Sequence, residues 1–303
     1  MQKPIVVVGS INMDLVARAS QIPRPGQSII GTGFDTTPGG KGANQAVAAA
    51  RLGYPVQMVG AVGDDVFGQA LLDNLTGADV GTAAVERVAW PSGVATILVA
   101  ENGENSIVVV PGANGKVDSA SVDAQAELIR SAGMVLCQLE LPLETVGRVL
   151  ALCAEAGVPV MLDPAPATPL PDSFWGQVAW CTPNETEAAF YLGTDSKPEE
   201  AAKQLMDRGV RGLALKRGGD GAYVAVARGK ADCVRPFHVQ AVDTVGAGDC
   251  FNGAFAVALL EGKDPWAAAR FASAAAAISV TRNGAQASMP VRVEVESFLT
   301  EHV

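Results

Sequence analysis

The stretch DTVGAGDCFNGAFA, residues 243–256, places an acidic side chain where a glycine-rich loop becomes an alanine-rich helix. A simple helix cap needs only one polar residue, whereas here Gly246, Ala247 and Gly248 precede Asp249. Glycine lets the backbone approach a ligand closely, and the free N–H groups of a first helical turn bind anions. A carboxylate beside a bound anion could accept a proton while negative charge develops next to it. The pattern therefore predicts an anion site at this helix start, with Asp249 as proton acceptor.

Polar side chains after other strand-like runs could bind the hydroxyl groups of a small neutral polyol. Asn12 and Asp14 in GSINMDL (9–15) are two residues apart, so both side chains point the same way in an extended chain. Glu140 ends another strand-like run and adds an acceptor at the edge where open parallel sheets bind ligands. Each residue alone is typical of a protein surface. Their shared position at strand ends favours a binding site.

The segment GGKGANQ, residues 39–45, opens a helix and could complete this polyol site. Gly39 and Gly40 permit close backbone approach, and Lys41 and Asn44 can direct several donors at hydroxyl groups. The alternative interpretation is a glycine-rich turn that only caps the helix.

Two further segments could bind a phosphate-bearing ligand. In TPNETEA, Asn184 and Glu187 are one helical turn apart, a spacing that could hold a hydrated Mg²⁺ and phosphate oxygens. The same residues would equally form an ordinary helix N-cap with an acidic first turn. KRGGDGAY (216–223) is either a tight turn or the floor of a nucleotide site.

Several common sites are missing from the sequence. No G-x-x-x-x-G-K-[ST] occurs, which excludes a P-loop, and no G-x-G-x-x-G follows the first strand, which argues against a nicotinamide-dependent dehydrogenase. The two histidines, His238 and His302, leave almost no material for Ser-His-Asp hydrolysis or a histidine-rich zinc site.

Composition indicates an ordinary soluble globular protein rather than a disordered or fibrous chain. Hydrophobic residues make up 49% of the 303 residues, and the net charge of -10 argues against nucleic acid or an anionic membrane as partner. The chain starts on a strand-like run without signal-peptide architecture, and no apolar stretch approaches the ~20 residues of a membrane span. Five scattered cysteines without a C-x-x-C pattern favour the reducing cytoplasm. Among them, Cys250 beside Asp249 is either a packing residue or a reactive thiol.

The elements that position these residues alternate between buried strands and amphipathic helices, which predicts an α/β fold. Strand-like runs occur at 4–9, 56–62, 133–140, 158–164, 178–183 and 212–218, and the intervening stretches have helical periodicity. We expect a mostly parallel sheet covered on both faces, in one domain spanning residues 1–303.

A small second sheet is predicted from residues about 15–38 and 93–112. The second segment contains two apolar runs around Asn102-Gly103, a typical hairpin signal, and the first is strand-like with Pro and Gly turns. Both faces of the hairpin require cover, so one could close over a ligand while the other packs on a second subunit. The alternative is a pair of further edge strands in the main sheet.

Taken together, GGKGANQAVAAARLG and DTVGAGDCFNGAFAVAL resemble the two signatures of the ribokinase branch of the phosphofructokinase-B family of sugar kinases. GSINMDLV, LDPAPA, TPNETEA and TRNGAQASMP resemble segments of that branch in the expected order, so the resemblance covers essentially the whole chain. It implies a Rossmann-like three-layer αβα sandwich with a small β-sheet lid, which often forms a homodimer interface. It also implies Mg²⁺-dependent transfer of the γ-phosphoryl group of ATP to the 5-hydroxyl of D-ribose.

The resemblance also assigns roles to individual positions. Asp249 matches the catalytic base, and Gly246, Ala247 and Gly248 match the anion hole. The substrate-binding positions are Asn12, Met13, Asp14, Gly40, Lys41, Asn44, Glu140 and Asp249. The ATP-binding positions are Asn184, Lys216, Arg217, Gly218, Gly219, Asp220, Gly221, Gly248 and Ser273. Glu187 matches the acidic residue associated with Mg²⁺, and a K⁺ site is implied at Asp243, Val245, Ser279, Arg282, Gly284 and Ser288, several through backbone carbonyls.

Some positions depart from the pattern and leave alternatives open. Met13 could alter tolerance at the sugar 2-position, so 2-deoxyribose, another pentose or a nucleoside is an alternative substrate. Lys216, Arg217 and Ser273 could change how the adenine and ribose of ATP are held. A non-catalytic sugar-binding regulator is the alternative from a different class, and the intact Asp249 and preceding glycines argue against it.

Overall fold

The computed structural model describes residues 2–302. In chain order the strands are β1 Ile5–Val8, β2 Asn12–Ala19, β3 Gly33–Gly39, β4 Val56–Gly63, β5 Val80–Val88, β6 Gly93–Ala100, β7 Asn105–Val110, β8 Met134–Cys137, β9 Val160–Leu162, β10 Trp180–Cys181, β11 Gly212–Lys216, β12 Ala222–Val226 and β13 Ala231–Val234. The α-helices are α1 Lys41–Arg51, α2 Val66–Gly77, α3 Ser119–Ala124, α4 Ala126–Ser131, α5 Leu143–Ala156, α6 Asp172–Trp175, α7 Glu185–Leu192, α8 Pro198–Asp207, α9 Ala247–Leu260, α10 Pro265–Ser279 and α11 Arg292–Glu301.

The main sheet has the strand order β13-β12-β11-β10-β9-β8-β1-β4-β5. Pairing is parallel from β5 to β11 and antiparallel for β12 and β13 at one edge. The central strands are apolar on both faces; β1 and β8, for example, are buried along their whole length. Such strands require helices on both sides, which is what a parallel sheet with crossover helices provides.

Two hydrophobic cores lie on opposite faces of this sheet. One includes residues of α1, α2, α9, α10 and α11, and the other includes residues of α3 to α8. The arrangement is the expected three-layer αβα sandwich. Within residues 2–302, none of these helices is long and apolar enough to cross a membrane.

The small sheet is separate from the main one and has the order β3-β2-β6-β7. The alternative of two extra edge strands in the main sheet is therefore wrong. The sheet also begins at Asn12 rather than near residue 15, because β2 pairs in parallel with β6 over its full length. Asn12 and Asp14 consequently belong to a strand of the small sheet and not to a loop.

All strand-like runs predicted for the main sheet form strands, but three strands were missed. The strands β5 and β13 lie at its edges, where partial exposure weakens the apolar pattern, whereas β12 is the second strand from the edge and is mostly buried. The predicted helix over SVDAQAELIRSAG is divided at Gln125 into α3 and α4.

The helices α1 and α9, which begin with the two glycine-rich segments, are in very close contact. A Cβ atom on Gly253 would lie 2.7 Å from Ala48 Cβ and 2.7 Å from the carbonyl oxygen of Gln45. Real Cβ atoms do not approach other atoms so closely, so only glycine permits this distance between the helices. The contact holds the start of α1 against the start of α9.

Replacing Gly253 with alanine is therefore expected to destabilise the fold by about 1–3 kcal/mol, because the extra methyl group overpacks the interface. Urea unfolding measures this change. The matched control is Gly77→Ala in α2, where an added Cβ meets nothing within 4 Å and a gain of up to about 1 kcal/mol is expected. Equal stability of the two variants would contradict this account of the interface.

Candidate active site

Asp249 lies in the first turn of α9 at the carboxyl edge of the main sheet and is only 6% exposed. Its Oδ2 accepts a hydrogen bond from Asn44 Nδ2 at 2.9 Å, and its Oδ1 accepts one from Gln45 Nε2 at 3.1 Å. Both donors come from α1, which the close contact at Gly253 holds in place. Asn44 was predicted in the site, whereas Gln45 was not.

The pKa of Asp249 is raised above its ordinary value, chiefly by burial. The positive charge of Lys41 opposes this shift, as do the two amide hydrogen bonds, and the negative charge of Asp163 adds to it. A carboxylate in this setting binds a proton more readily than one in water, which suits a proton acceptor.

The backbone at the start of α9 has the form of an anion site. Gly246 is the N-cap residue with φ 75°, a left-handed conformation that favours glycine. Among residues 2–302, the N–H groups of Gly248 and Asp249 have no hydrogen-bond acceptor. The Lys216 ammonium lies near them, 3.4 Å from where a Cβ atom on Gly248 would be. Free amides, the helix dipole and an ammonium group together attract negative charge.

On one side of Asp249, β2 brings Asn12 and Asp14 into the site, both buried and on the same face of the strand. Asn114 fixes Asn12, since its Nδ2 donates to Asn12 Oδ1 at 2.7 Å. Asn114 also exchanges hydrogen bonds with the backbone of Ile11. The sequence gives no signal for Asn114, because it comes from the short 3₁₀ turn at 112–116. Met13, a predicted substrate-binding residue, belongs to the hydrophobic core instead.

Glu140 joins the same group through the start of α1. Its Oε2 accepts hydrogen bonds from Ser10 Oγ at 2.5 Å and from the Lys41 backbone N–H at 3.2 Å. Gly40 lets the start of α1 lie this close to β2, because its φ is 88° and a Cβ atom at this position would be only 2.7 Å from the Asn12 nitrogen. The structure thus brings together the predicted polyol-binding residues, apart from Met13.

The carboxylates of this group repel one another. Burial raises the pKa of Asp14 to about 7, and the nearby charges of Glu140 and Asp249 add to the shift. For Lys41, burial lowers the pKa, but Asp249, Asp163 and Glu140 outweigh it and hold the ammonium group charged. Lys41 is therefore the cation that compensates this acidic pocket.

On the other side of Asp249 is a cavity of about 340 Å³ with mostly apolar walls. Of the predicted nucleotide-binding residues, the following line it: Lys216, Gly218, Gly219, Gly221, Gly248 and Ser273. Sequence reasoning missed the wall formed by the segment 236–244, including Phe237, His238 and Thr244. Arg217 and Asp220 do not line this cavity; Arg217 pairs with Glu185 at 3.3 Å and with Asp220 at 3.8 Å.

Asn184 and Glu187 form the helix cap that was the alternative interpretation. Asn184 Oδ1 accepts from the Glu187 N–H at 2.7 Å, and Glu187 Oε2 accepts from the Asn184 N–H at 2.8 Å. Burial raises the pKa of Glu187, while Lys216 opposes the shift and Asp163 adds to it. Within the described residues Glu187 Oε1 accepts no hydrogen bond, so capping leaves one carboxylate oxygen for a ligand.

Most of the predicted K⁺ residues converge beside the start of α9. Asp243 accepts hydrogen bonds from the N–H groups of Val245 at 3.0 Å and Gly284 at 2.8 Å. In the described part of the chain, the carbonyl oxygens of Val245 and Gly284 accept no backbone or side-chain hydrogen bond. The Arg282 side chain pairs with Glu294 at 2.6 Å.

Ser279 and Ser288 complete this group, and both are buried. Their hydroxyl groups donate to the backbone at Ala276 and Ala285, each at 2.8 Å. A Cβ on Gly246 would lie 2.9 Å from Ala285 Cβ, so the loop at 282–288 contacts the N-cap of α9 directly.

Residues 2–292 match the pfkB family of carbohydrate kinases. A ribokinase from Bacillus subtilis (strain 168) is 47% identical over 297 residues, which cover 98% of this chain and 99% of that protein. A deoxyribokinase from Salmonella typhi is 37% identical, covering 98% of each chain. The structure of Arabidopsis thaliana ribokinase complexed with ribose and ATP superposes with a TM-score of 0.92 at 37% identity, covering 99% of each chain.

The raised pKa of Asp14 predicts a pH-dependent effect of Asp14→Asn on the ligand-free protein. The pKa of about 7 in the folded protein lies above the value in the unfolded chain, so ionised Asp14 destabilises the fold. This destabilisation grows as the pH rises from the unfolded pKa to the folded pKa and is complete above it. The neutral amide removes this contribution. Asp14→Asn should therefore stabilise the protein at pH 8 by about 1–3 kcal/mol more than at pH 5.

Denaturant unfolding at the two pH values measures this difference. The control is Asp207→Asn at the exposed end of α8, for which the change should be similar at both pH values. A stabilisation by Asp14→Asn that is larger at pH 5 than at pH 8 would have the wrong sign and would refute the prediction.

Proposed function

The chain belongs to the pfkB family of carbohydrate kinases, and from this premise we propose that it transfers the γ-phosphoryl group of ATP to the 5-hydroxyl of D-ribose. The products are D-ribose 5-phosphate and ADP. One observation carries the proposal: Asp249 lies at a helix start with free N–H groups, between a polyol-binding pocket and an apolar cavity. Near-full-length identity of 47% with a ribokinase supports ribose as the acceptor.

The chemistry requires mainly positioning and charge stabilisation. Asp249 accepts the proton of the attacking hydroxyl as the new O–P bond forms. In the proposed anion hole at residues 246–249, the free N–H groups of Gly248 and Asp249 donate to the transferring phosphoryl group, whereas the Ala247 N–H donates to the Thr244 carbonyl at 3.3 Å. Lys216, which lies beside Gly248, supplies positive charge on the nucleotide side.

The sugar is held by the polar side chains around Asp249. Carboxylates at Asp14 and Glu140 accept hydrogen bonds from hydroxyl groups, and the amides of Asn12 and Asn44 both donate and accept. The positive charge of Lys41 offsets the repulsion among the carboxylates of the pocket. Because all of these groups recognise hydroxyl groups, the pocket fits a neutral sugar.

The apolar cavity accommodates the adenine and ribose of ATP, with Lys216 and Gly248 at the end nearest the phosphates. Gly218, Gly219 and Gly221 let the backbone approach the nucleotide. Ser273 and Asn184 are proposed as additional contacts. Arg217 and Asp220 have weaker support as nucleotide-binding residues than the glycines, because they do not line the cavity.

Glu187 fits a role with Mg²⁺, because a half-buried carboxylate oxygen without a hydrogen-bond partner in residues 2–302 is a hard ligand. When bound with ATP, Mg²⁺ offsets charge on the β- and γ-phosphates. The carboxylate of Asp243 and the free carbonyls of Val245 and Gly284 fit K⁺. Of Arg282, only the main chain could take part, since its side chain pairs with Glu294.

The small sheet serves as a lid in this proposal, because β2 carries both sugar-binding side chains and strands of the lid pair with it. We treat residues 1–303 as one α/β domain with a lid subdomain. Closure of the lid would exclude water, the competing nucleophile. Five free cysteines, four of them buried, are consistent with a cytoplasmic location.

An alternative acceptor is 2-deoxyribose, supported by the 37% identity with a deoxyribokinase. The core position of Met13 gives no contact that distinguishes the two sugars. A non-catalytic regulator is not favoured, since Asp249 and the preceding glycines are intact at the start of α9.

An ATP-consumption assay with Mg²⁺, with and without K⁺, tests the function across ribose, 2-deoxyribose, fructose and adenosine. The highest kcat/KM is expected for ribose, with stimulation by K⁺. Preference for 2-deoxyribose would favour the alternative acceptor, and no turnover of any pentose would refute the proposal. As a control, Asp249→Ala should lose several orders of magnitude in kcat. If this variant kept more than about a tenth of the normal kcat, the activation barrier would have risen by less than ~1.4 kcal/mol, and a role of Asp249 as the base would be excluded.

The outer face of the lid supports a homodimer. Val108 and Val110 of β7 are 61% and 49% exposed, Phe34 of β3 is 65% exposed, and all three lie on the face of the sheet opposite Asn12 and Asp14. An apolar patch of this kind is typical of a protein interface. Val108→Lys should therefore yield a monomer in sedimentation velocity, whereas Val293→Lys, at a similarly exposed valine of α11, should leave the dimer intact. A Val108→Lys protein that sediments like the original dimer would rule out this interface.

A further inference from the structure

Each carboxylate oxygen of Asp249 is bound by a carboxamide that is itself held by a second carboxamide. Asn44 donates to Oδ2 and Gln45 donates to Oδ1. We call Asn44 and Gln45 the inner amides. The outer amides are Gln286, which donates to Asn44 Oδ1 at 3.0 Å, and Gln138, which donates to Gln45 Oε1 at 2.8 Å.

All of these hydrogen bonds run in one direction, toward the carboxylate. On the Asn44 side, Asn74 Nδ2 donates to Gln286 Oε1 at 2.6 Å, so Gln286 can present only its NH₂ group to Asn44. Asn44 in turn presents only its NH₂ group to Asp249. The orientation of three amides in sequence is thus determined from one end.

On the Gln45 side, the hydrogen bonds also run toward the carboxylate, but this arrangement costs free energy. Gln138 is completely buried, and its Oε1 has no hydrogen-bond partner within residues 2–302. An unsatisfied buried acceptor costs about 1–3 kcal/mol, and each such group in a native structure calls for an explanation. Here the explanation is that the Gln138 NH₂ group is directed at Gln45 Oε1.

With its oxygen held by Gln138, Gln45 directs its NH₂ group at two carboxylates. It donates to Asp249 Oδ1 at 3.1 Å and to Asp163 Oδ2 at 3.0 Å. Asp163 also pairs with Lys216 at 2.9 Å. The Gln45 NH₂ group therefore lies between two buried carboxylates, and the negative charge of Asp163 raises the pKa of Asp249.

We propose that Gln138 and Gln286 are positioning residues that hold the inner amides in the orientation required to keep Asp249 a correctly aimed carboxylate. This inference rests on the proposed function, in which Asp249 is the base. If an outer amide is removed, the inner amide is free to rotate and present its carbonyl oxygen to Asp249. A carbonyl oxygen repels a carboxylate but accepts a hydrogen bond from a protonated carboxyl group.

The direction of the expected effect follows from the charges that face Asp249. These are Lys41 of α1, which favours the carboxylate, and Asp163 beyond β9 and Asp14 of β2, which disfavour it. When one amide donor is lost, less remains to counteract burial and the two acidic neighbours, which raise the pKa of Asp249. The pKa of Asp249 should therefore rise when either outer amide is removed.

The test compares Gln138→Met and Gln286→Met, which keep the side-chain length and remove the amide. For each, the acid-side midpoint of the kcat–pH profile should move up by about one pH unit, with a tenfold loss of kcat below that midpoint. For Gln138→Met, KM for ribose should change less than about threefold. The control is Thr145→Val, which removes a buried hydrogen bond to the Val117 carbonyl on the other face of the sheet and should leave the pH profile unchanged.

A second measurement does not depend on turnover. In ¹³C-aspartate-labelled protein, the Asp249 carboxyl resonance is assigned with Asp249→Asn, and its pKa is read by NMR titration. Both methionine variants should raise this pKa. An unchanged titration and an unchanged profile in a folded variant would overturn the inference, and if one variant fails to fold, the other tests the opposite oxygen. Absence of kinase activity in the unmodified protein would refute the proposed function alone, since the titration still decides this inference.

Discussion

The site depends on one constraint: a carboxylate must be buried at the start of a helix and still carry its charge. Burial alone would neutralise Asp249. The opposing groups are the Lys41 ammonium and two amide donors, all from α1. The contact that places α1 against α9 at Gly253 is therefore a requirement of the chemistry as much as of the core.

The polar groups of the site are arranged around this carboxylate in a way that couples its two sides. Asp14 and Glu140 lie on the side of the proposed sugar pocket, while Lys216, which pairs with Asp163, lines the apolar cavity. Net negative charge in the sugar pocket is tolerable because hydroxyl groups are neutral donors. On the other side, the positive end of α9 and Lys216 border the apolar cavity, which suits the phosphates of the proposed nucleotide.

Much of the fold and the principal residues could be predicted from the sequence, because buried parallel strands and glycine-rich helix starts have strong local patterns. Asp249, Asn44 and Lys41 belong to such patterns. Gln138 and Gln286 could not be predicted, since a glutamine just after a strand or in a short turn carries no local sign of its partner. The edge strands β5 and β13 were missed for a related reason: partial exposure blurs the periodicity that identifies a strand.

The strand β2 has one consequence for how the molecule would respond to its substrate. It starts at Asn12 in the floor of the pocket and continues without interruption to Ala19, between β3 and β6. A sugar bound by Asn12 and Asp14, as proposed, would therefore contact one end of a strand whose other end lies within the small sheet. Under the proposed function, binding of the sugar would thus be linked directly to the position of the small sheet through β2.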